Sequence, residues 1–131
     1  MTSAQYFFIG YKLVHLVGVL LLFLALGGMV FRALVAPPDE RKGRLLGYVL
    51  HGVALFLVLL GGFGLMARTG IQHGEPWPAW ITTKFGVWLA LGGFVAVFKR
   101  LPRRIGLLWP LVPVLGAVAV FAAVTKFGSY G

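Results

Sequence analysis

Five side chains able to carry charge fall inside long apolar stretches of this sequence: Lys12, His15, His51, Lys84 and Lys126. Ionisable groups are costly in an apolar surround, so where they occur they carry information. An imidazole can ligate iron or relay a proton, and an ammonium can hold an anion. No aspartate or glutamate lies in the same stretches, because Asp39, Glu40 and Glu75 all fall in polar connections. That pattern argues against a carboxylate-driven antiporter or proton pump, and it leaves no paired acids for general acid–base work. The chain has no cysteine, which excludes disulfides, thiolate metal sites and cysteine nucleophiles. No metal site is expected, no catalytic residue can be named, and the balance is against an enzyme.

Each of these residues also has a plainer explanation. Lysines within a turn or two of a helix end extend their heads to the membrane interface, which accounts for Lys12 and Lys126 without a ligand. Lys84 lies deeper, with Trp80 and Trp88 four residues to either side, and an indole face can hold an ammonium by cation–π attraction. A hydrogen bond to a neighbouring helix would account for His15 and His51, and His73 beside Gly74 and Glu75 reads as solvated.

The elements that position these groups follow from composition. The 131 residues are 60% hydrophobic and 11% charged, against roughly a quarter charged in soluble domains. Four apolar stretches run over about 6–31, 45–66, 79–98 and 105–127, each long enough as a helix to cross a hydrocarbon core of about 30 Å. The expected fold is all-α, an integral-membrane four-helix bundle forming one domain over 1–131. No basic residue precedes the first stretch, which lacks a small-x-small cleavage pattern and is read as a mature helix. The net charge of +9 clusters in the connections, so it is read as a topology signal and a contact to anionic lipid headgroups, not to nucleic acid.

Those connections are recognisable. Ala36-Pro37-Pro38-Asp39-Glu40-Arg41-Lys42 ends the first helix, because consecutive prolines lack amide donors and force extended backbone. Residues 69–78 carry Gly70, His73, Gly74, Glu75 and two prolines and form a loop, and Lys99-Arg100-Leu101-Pro102-Arg103-Arg104 is a tight basic turn. Arg32, Arg41, Lys42, Arg44, Lys99, Arg100, Arg103 and Arg104, eight of the twelve basic residues, flank the first and third connections. That side is the cytoplasm by the positive-inside rule, so both termini face outward from a bacterial-type inner membrane. Tyr6, Phe7, Phe8, Tyr11, Trp77 and Trp80 then form an outer aromatic belt, with Trp109 at the inner interface.

Depth follows from the helix rise. His15 lies roughly 12 Å and Lys84 about 8 Å below the outer boundary, and His51 roughly 9 Å above the inner one. The outer half thus gathers Lys12, His15, Lys84 and Lys126, with Arg68 at its rim, which suits an anionic or electron-rich ligand. His15 and His51 are about 9 Å apart along the membrane normal, an awkward span for one iron. His15 with Lys84 is the better-matched pair, and His51 is the weaker cofactor candidate.

Small residues suggest where helices meet: Gly27 with Gly28, Gly61 with Gly64, Gly92 with Gly93, and Gly116 with Ala117. Pro110 is tolerated at the start of the fourth helix, while Pro113 bends it. A short echo is present, with Thr83-Lys84-Phe85-Gly86 recurring as Thr125-Lys126-Phe127-Gly128, and Tyr11 preceding His15 much as Tyr48 precedes His51.

The string Tyr11-Lys12-Leu13-Val14-His15-Leu16-Val17-Gly18 and the stretch Trp80-Ile81-Thr82-Thr83-Lys84-Phe85-Gly86-Val87-Trp88-Leu89 resemble the first and third helices of several small membrane families. These are the bacterial membrane protoporphyrinogen oxidases, the copper-resistance D proteins and the SirB-like proteins. In the first family a first-helix histidine and a third-helix lysine are the key polar residues, so the resemblance implies haem b or a porphyrin at His15 and Lys84. The stretch Gly27-Gly28-Met29-Val30-Phe31-Arg32 departs from that family's arginine-bearing signature, and Thr82 and Thr83 stand where a histidine is common. Two other roles stay open. One is a non-catalytic accessory subunit of a larger respiratory or transport complex, joined to other membrane subunits or to copies of itself. The other is a transporter for a small anion.

Overall fold

In the computed structural model, residues 1–37, 39–71 and 74–128 are described, apart from the side chain of Pro102. Pro38 of the first connection and His73 of the second therefore lie outside the described residues. All regular structure among the described residues is helical: α1 Ser3–Val35, α2 Arg44–Arg68, α3 Ala79–Arg100, a 3₁₀ turn Pro102–Arg104, α4 Ile105–Leu108 and α5 Leu111–Thr125. Counting α4 and α5 as one span, four helices of 33, 25, 22 and 21 residues are long and apolar enough to cross a membrane. At 1.5 Å per residue they measure roughly 32 to 50 Å.

The helix ends explain where the boundaries depart from the apolar pattern. α1 begins before the apolar run because Thr2 and Gln5 form a reciprocal cap. The Gln5 N–H donates to Thr2 Oγ1 (3.3 Å) and the Thr2 N–H donates to Gln5 Oε1 (2.7 Å), so each side chain satisfies an amide at the helix start. At the other end α1 continues past Arg32, whose guanidinium reaches forward into the first connection. Its Nε donates to the Lys42 carbonyl at 2.7 Å and its Nη2 to the Glu40 carbonyl. Arg32 thus fastens the connection that Pro37 begins.

The fourth span is broken instead of bent. Pro110 has no amide hydrogen to offer the Gly106 carbonyl, and Pro113 none for Trp109. The Trp109 carbonyl accepts from Val112 N–H (3.0 Å), a tighter i+3 bond. α4 therefore stops at Leu108, and α5 starts at Leu111 and ends two residues before Phe127.

The chain divides into two units, Met1–Leu26 with Gly43–Glu75, and Gly27–Lys42 with Pro76–Gly131. In the first unit α1 and α2 run antiparallel along a seam whose register can be read from close contacts. Arg68 lies over the Phe7 ring, and Gly64 faces Tyr11, Gly61 faces His15, and Gly18 faces Leu57 and Val58. The paired numbers sum to nearly the same value at every step, as an antiparallel pair requires. Extended along the helices, this register would set Leu22 against Ala54 and Ala25 and Leu26 near His51, and all five are buried.

Glycine is what lets these two backbones approach. A Cβ at Gly61 would come within 2.5 to 2.7 Å of the His15 backbone and Cβ, and one at Gly18 within 2.8 Å of the Val58 nitrogen. Such close packing matters in lipid, which gives helices no hydrophobic reason to associate. Gly61 and Gly64 thus act as their spacing suggests. Gly27, Gly28 and Gly93 do not: all three are exposed, and beyond the adjoining backbone of their own helix no described atom comes within 4 Å of where a Cβ would sit.

In the second unit α3 packs on α5. Ile81, Val87, Leu91 and Phe94 of α3 are buried, as are Ile105 of α4 and Val112 and Ala122 of α5. The α3 start is tied to the chain after α5, since the Trp80 N–H donates to the Phe127 carbonyl at 3.2 Å. That bond satisfies one of the amides left orphaned at a helix N-terminus.

Candidate functional site

Trp80 is the centre of the polar chemistry in the second unit. It stands one residue into α3, so Lys84 follows it by one helical turn. Side chains on a helix lean toward its N-terminus, which aims Lys84 back at Trp80. The Lys84 Nζ lies 5.8 Å from the centre of the Trp80 ring. The Lys126 Nζ lies 5.8 Å from the same ring, and both distances are within cation–π range. The two ammonium groups are therefore no more than twice that distance apart.

Lys126 arrives there by an unusual backbone. It follows the last residue of α5 with φ 48°, ψ 42°, the left-handed conformation, which is uncommon for a residue with a side chain. Its N–H still donates to the Ala122 carbonyl at 2.9 Å, closing the last turn, while the Thr125 hydroxyl donates to the Phe121 carbonyl at 2.8 Å. Gly128 takes φ 74° and passes so close to Ala79 that a Cβ there would meet the Ala79 Cβ at 2.6 Å. The chain thus folds back against the α3 start, bringing Lys126 with it. An aromatic group continues along α3, where Phe85 stacks on Trp88 and meets Trp77 edge-on, each at 5.6 Å between centroids.

Both copies of the Thr-Lys-Phe-Gly string thus deliver their lysines to one indole. The sequence places Lys126 with Lys84 in the outer half, but it explains Lys126 as an interface lysine and does not bring the two to one ring. The repeated string was the available signal. Four matching residues in so biased a composition carry no weight until the fold places them together.

His15 sits half-buried in the first unit. Its Nδ1 lies 2.8 Å from the Val58 carbonyl oxygen, so Nδ1 carries the hydrogen and donates. In a neutral ring the lone pair is then on Nε2, the arrangement found in metal-bound imidazoles. Val58 can accept this extra bond because the residues three and four ahead of it, Gly61 and Gly62, have no side chains to cover its carbonyl. The bond also latches α1 to α2, as a structural histidine would.

His51 is buried on α2 at 4% exposure. In the α1–α2 register it stands opposite Ala25 and Leu26, about ten residues along from His15, or roughly 15 Å. The two imidazoles therefore do not meet at one iron. The backbone contact between Gly61 and His15 also leaves no room for a macrocycle between α1 and α2 at that level. Lys84 belongs to the other unit. Lys12 and Arg68 are exposed on the first, and Arg68 lies 4.9 Å from the Phe7 ring centre, beside an open groove lined by Met1, Gln5, Phe8 and Ile9.

No family model, curated protein or solved structure matches this chain. The chemistry of its site rests on its own residues. Among the described residues no three histidine or carboxylate side chains come together as a metal site would require. The best-defined polar constellation is cationic and aromatic: Trp80, Lys84 and Lys126.

Proposed function

We propose that this chain is a multi-pass protein of a bacterial-type inner membrane that binds an anionic ligand in its outer half, at Trp80, Lys84 and Lys126. Support for the membrane comes from the four long apolar helices and from large apolar side chains left exposed along them. Leu20, Leu24, Phe56, Leu107 and Val124 are each more than 60% exposed, which water would not favour and lipid does. Both termini lie on the outer side, given the basic residues around the first and third connections.

The observation that carries the ligand is the convergence of two ammonium groups on one indole. It occurs at the end of α3 opposite Lys99 and Arg100. Like charges held together repel, and an anion between them relieves the repulsion. Haem b or a porphyrin, the ligand class the first and third helices suggest by resemblance, carries propionate anions and is one candidate.

The test is titration of the detergent-purified full chain with haemin and with simple anions, followed by tryptophan emission and the visible spectrum. A saturable change is expected for at least one anion. Lys84→Gln should weaken it about tenfold, or about 1.4 kcal/mol. A Soret band shifted on binding, and no longer shifted in Lys84→Gln, would identify the anion as haem. If no anion gives a saturable change dependent on Lys84, the ligand role is wrong.

A second role, as a non-catalytic subunit of a larger membrane complex, is favoured by one observation. Gly27, Gly28, Gly86 and Gly93 are exposed with open space above them, and small residues are where membrane helices of other subunits pack. Extraction in mild detergent would then give a particle far larger than the 14.2 kDa chain.

A further inference from the structure

We infer that Trp80, Lys84 and Lys126 hold the phosphate of an anionic lipid headgroup, with the lipid's acyl chains lying along α5. The inference rests on the anionic-ligand role proposed above and names the class of ligand.

Phosphate is favoured over a carboxylate by the kind of cations present. A lone carboxylate is best matched by the planar fork of an arginine. Lysine is a compact point charge, and two lysines reaching one ring from separate helices suit a tetrahedral group with oxygens facing in different directions. The two lysines come from unlike backbone settings, one inside α3 and one in the left-handed residue after α5. Their meeting at Trp80 is thus a product of the tertiary fold and not of one helix's periodicity.

A lipid, and not free phosphate, is favoured by what surrounds the charges. Lys126 lies just past the end of α5 and Lys84 leans back toward the start of α3, where the indole of Trp80 marks the level of the headgroups. On the last turns of α5, the helix that Lys126 follows, Val120, Phe121 and Val124 are 63%, 61% and 77% exposed. The Phe121 ring lies 6.1 Å from that of Phe127, which is next to Lys126. Exposed apolar side chains thus line the end of the helix that Lys126 follows, which suits a phosphodiester with attached acyl chains. Juxtamembrane lysines attract anionic headgroups in general; the difference here is a pair fixed on one aromatic ring.

The experiment uses the full chain, delipidated in neutral detergent and followed by tryptophan emission. It is titrated separately with dihexanoyl phosphatidylglycerol, dihexanoyl phosphatidylcholine, inorganic phosphate and protoporphyrin. Phosphatidylglycerol is expected to saturate and to bind at least tenfold tighter than phosphatidylcholine. Lys84→Gln combined with Lys126→Asn should abolish that preference. Asparagine suits the left-handed position 126, and circular dichroism checks that both variants keep wild-type helicity. Should the double variant not fold, Lys126→Asn alone is expected to lower the preference at least threefold, and Lys84→Arg with Lys126→Arg to keep it. Equal binding of the two lipids, or a preference untouched by Lys126→Asn, overturns the proposal. Inorganic phosphate binding as tightly as the anionic lipid overturns the lipid assignment and leaves the phosphate chemistry. Porphyrin binding without phosphatidylglycerol binding overturns the phosphate chemistry and leaves the anionic-ligand role. No binding by any anion removes both.

Discussion

Gly61→Leu should separate α1 from α2. At this residue the two backbones are nearly in contact, since even a Cβ would stand 2.5 Å from the His15 nitrogen. No rotamer avoids that clash, because the obstructing atoms are backbone and Cβ, not the far end of a flexible chain. Forcing extra atoms into a packed site typically costs about 1 to 3 kcal/mol, and a leucine against backbone belongs at or above the top of that range. The register would also be lost, and with it the His15 bond to the Val58 carbonyl. Thermal unfolding of the detergent-solubilised chain should show a large fall in the midpoint. Gly62→Ala is the control: a Cβ there would sit 3.5 Å from the His15 Nδ1, an ordinary contact. It should change stability by no more than about 0.5 kcal/mol. Equal stability of Gly61→Leu and the wild type would mean that α1 and α2 do not meet along this seam.

Gly128→Val should have an effect of similar size in the second unit, with a different signature. Its φ of 74° is strained for any side chain, and the left-handed conformation costs a non-glycine residue roughly 1 to 2 kcal/mol. The new side chain would also collide with Ala79 at the start of α3. To relieve both, the chain after α5 must swing away, breaking the bond from the Trp80 N–H to the Phe127 carbonyl and withdrawing Lys126 from the indole. The expected result is a lower unfolding midpoint together with the loss of anion affinity seen when Lys126 itself is replaced. If the variant is less stable yet binds anions as the wild type does, Gly128 supports the fold without positioning Lys126.

Much of the architecture was legible because length and hydropathy alone place four helices, and prolines and glycines mark their ends. The Thr2–Gln5 cap was also readable in principle, as Thr-x-x-Gln ahead of an apolar run, although the apolar pattern itself begins only at Tyr6. Gly61 and Gly64 show how far such patterns go. Their spacing implies contact, yet the same argument applied to Gly27, Gly28 and Gly93 points to positions that lie exposed. Periodicity shows which faces are smooth, not which smooth faces meet. The break at Pro110 went beyond a bend because two prolines three residues apart remove two i→i−4 bonds within about one turn. The site was legible only in parts. Lys84 stands out by its depth and its tryptophans, but Lys126 gains its place from a left-handed residue and a close turn at Gly128. Neither leaves a trace in hydrophobic periodicity. His15 makes an interhelical hydrogen bond, and the sequence could not divide that role from ligation.

Every depth in this account depends on the helices crossing a bilayer in one orientation. The absence of cysteine makes that directly measurable, because any introduced thiol is unique. Ser3→Cys, Lys42→Cys, Glu75→Cys and Arg103→Cys, all at exposed positions, should each stay in the membrane fraction after alkaline carbonate extraction. A membrane-impermeant maleimide added outside intact cells should label Ser3→Cys and Glu75→Cys, and should reach Lys42→Cys and Arg103→Cys only after permeabilisation. Labelling of Lys42→Cys and Arg103→Cys from outside, or release of the chain into the soluble fraction, would contradict the topology and the outer-half site built upon it.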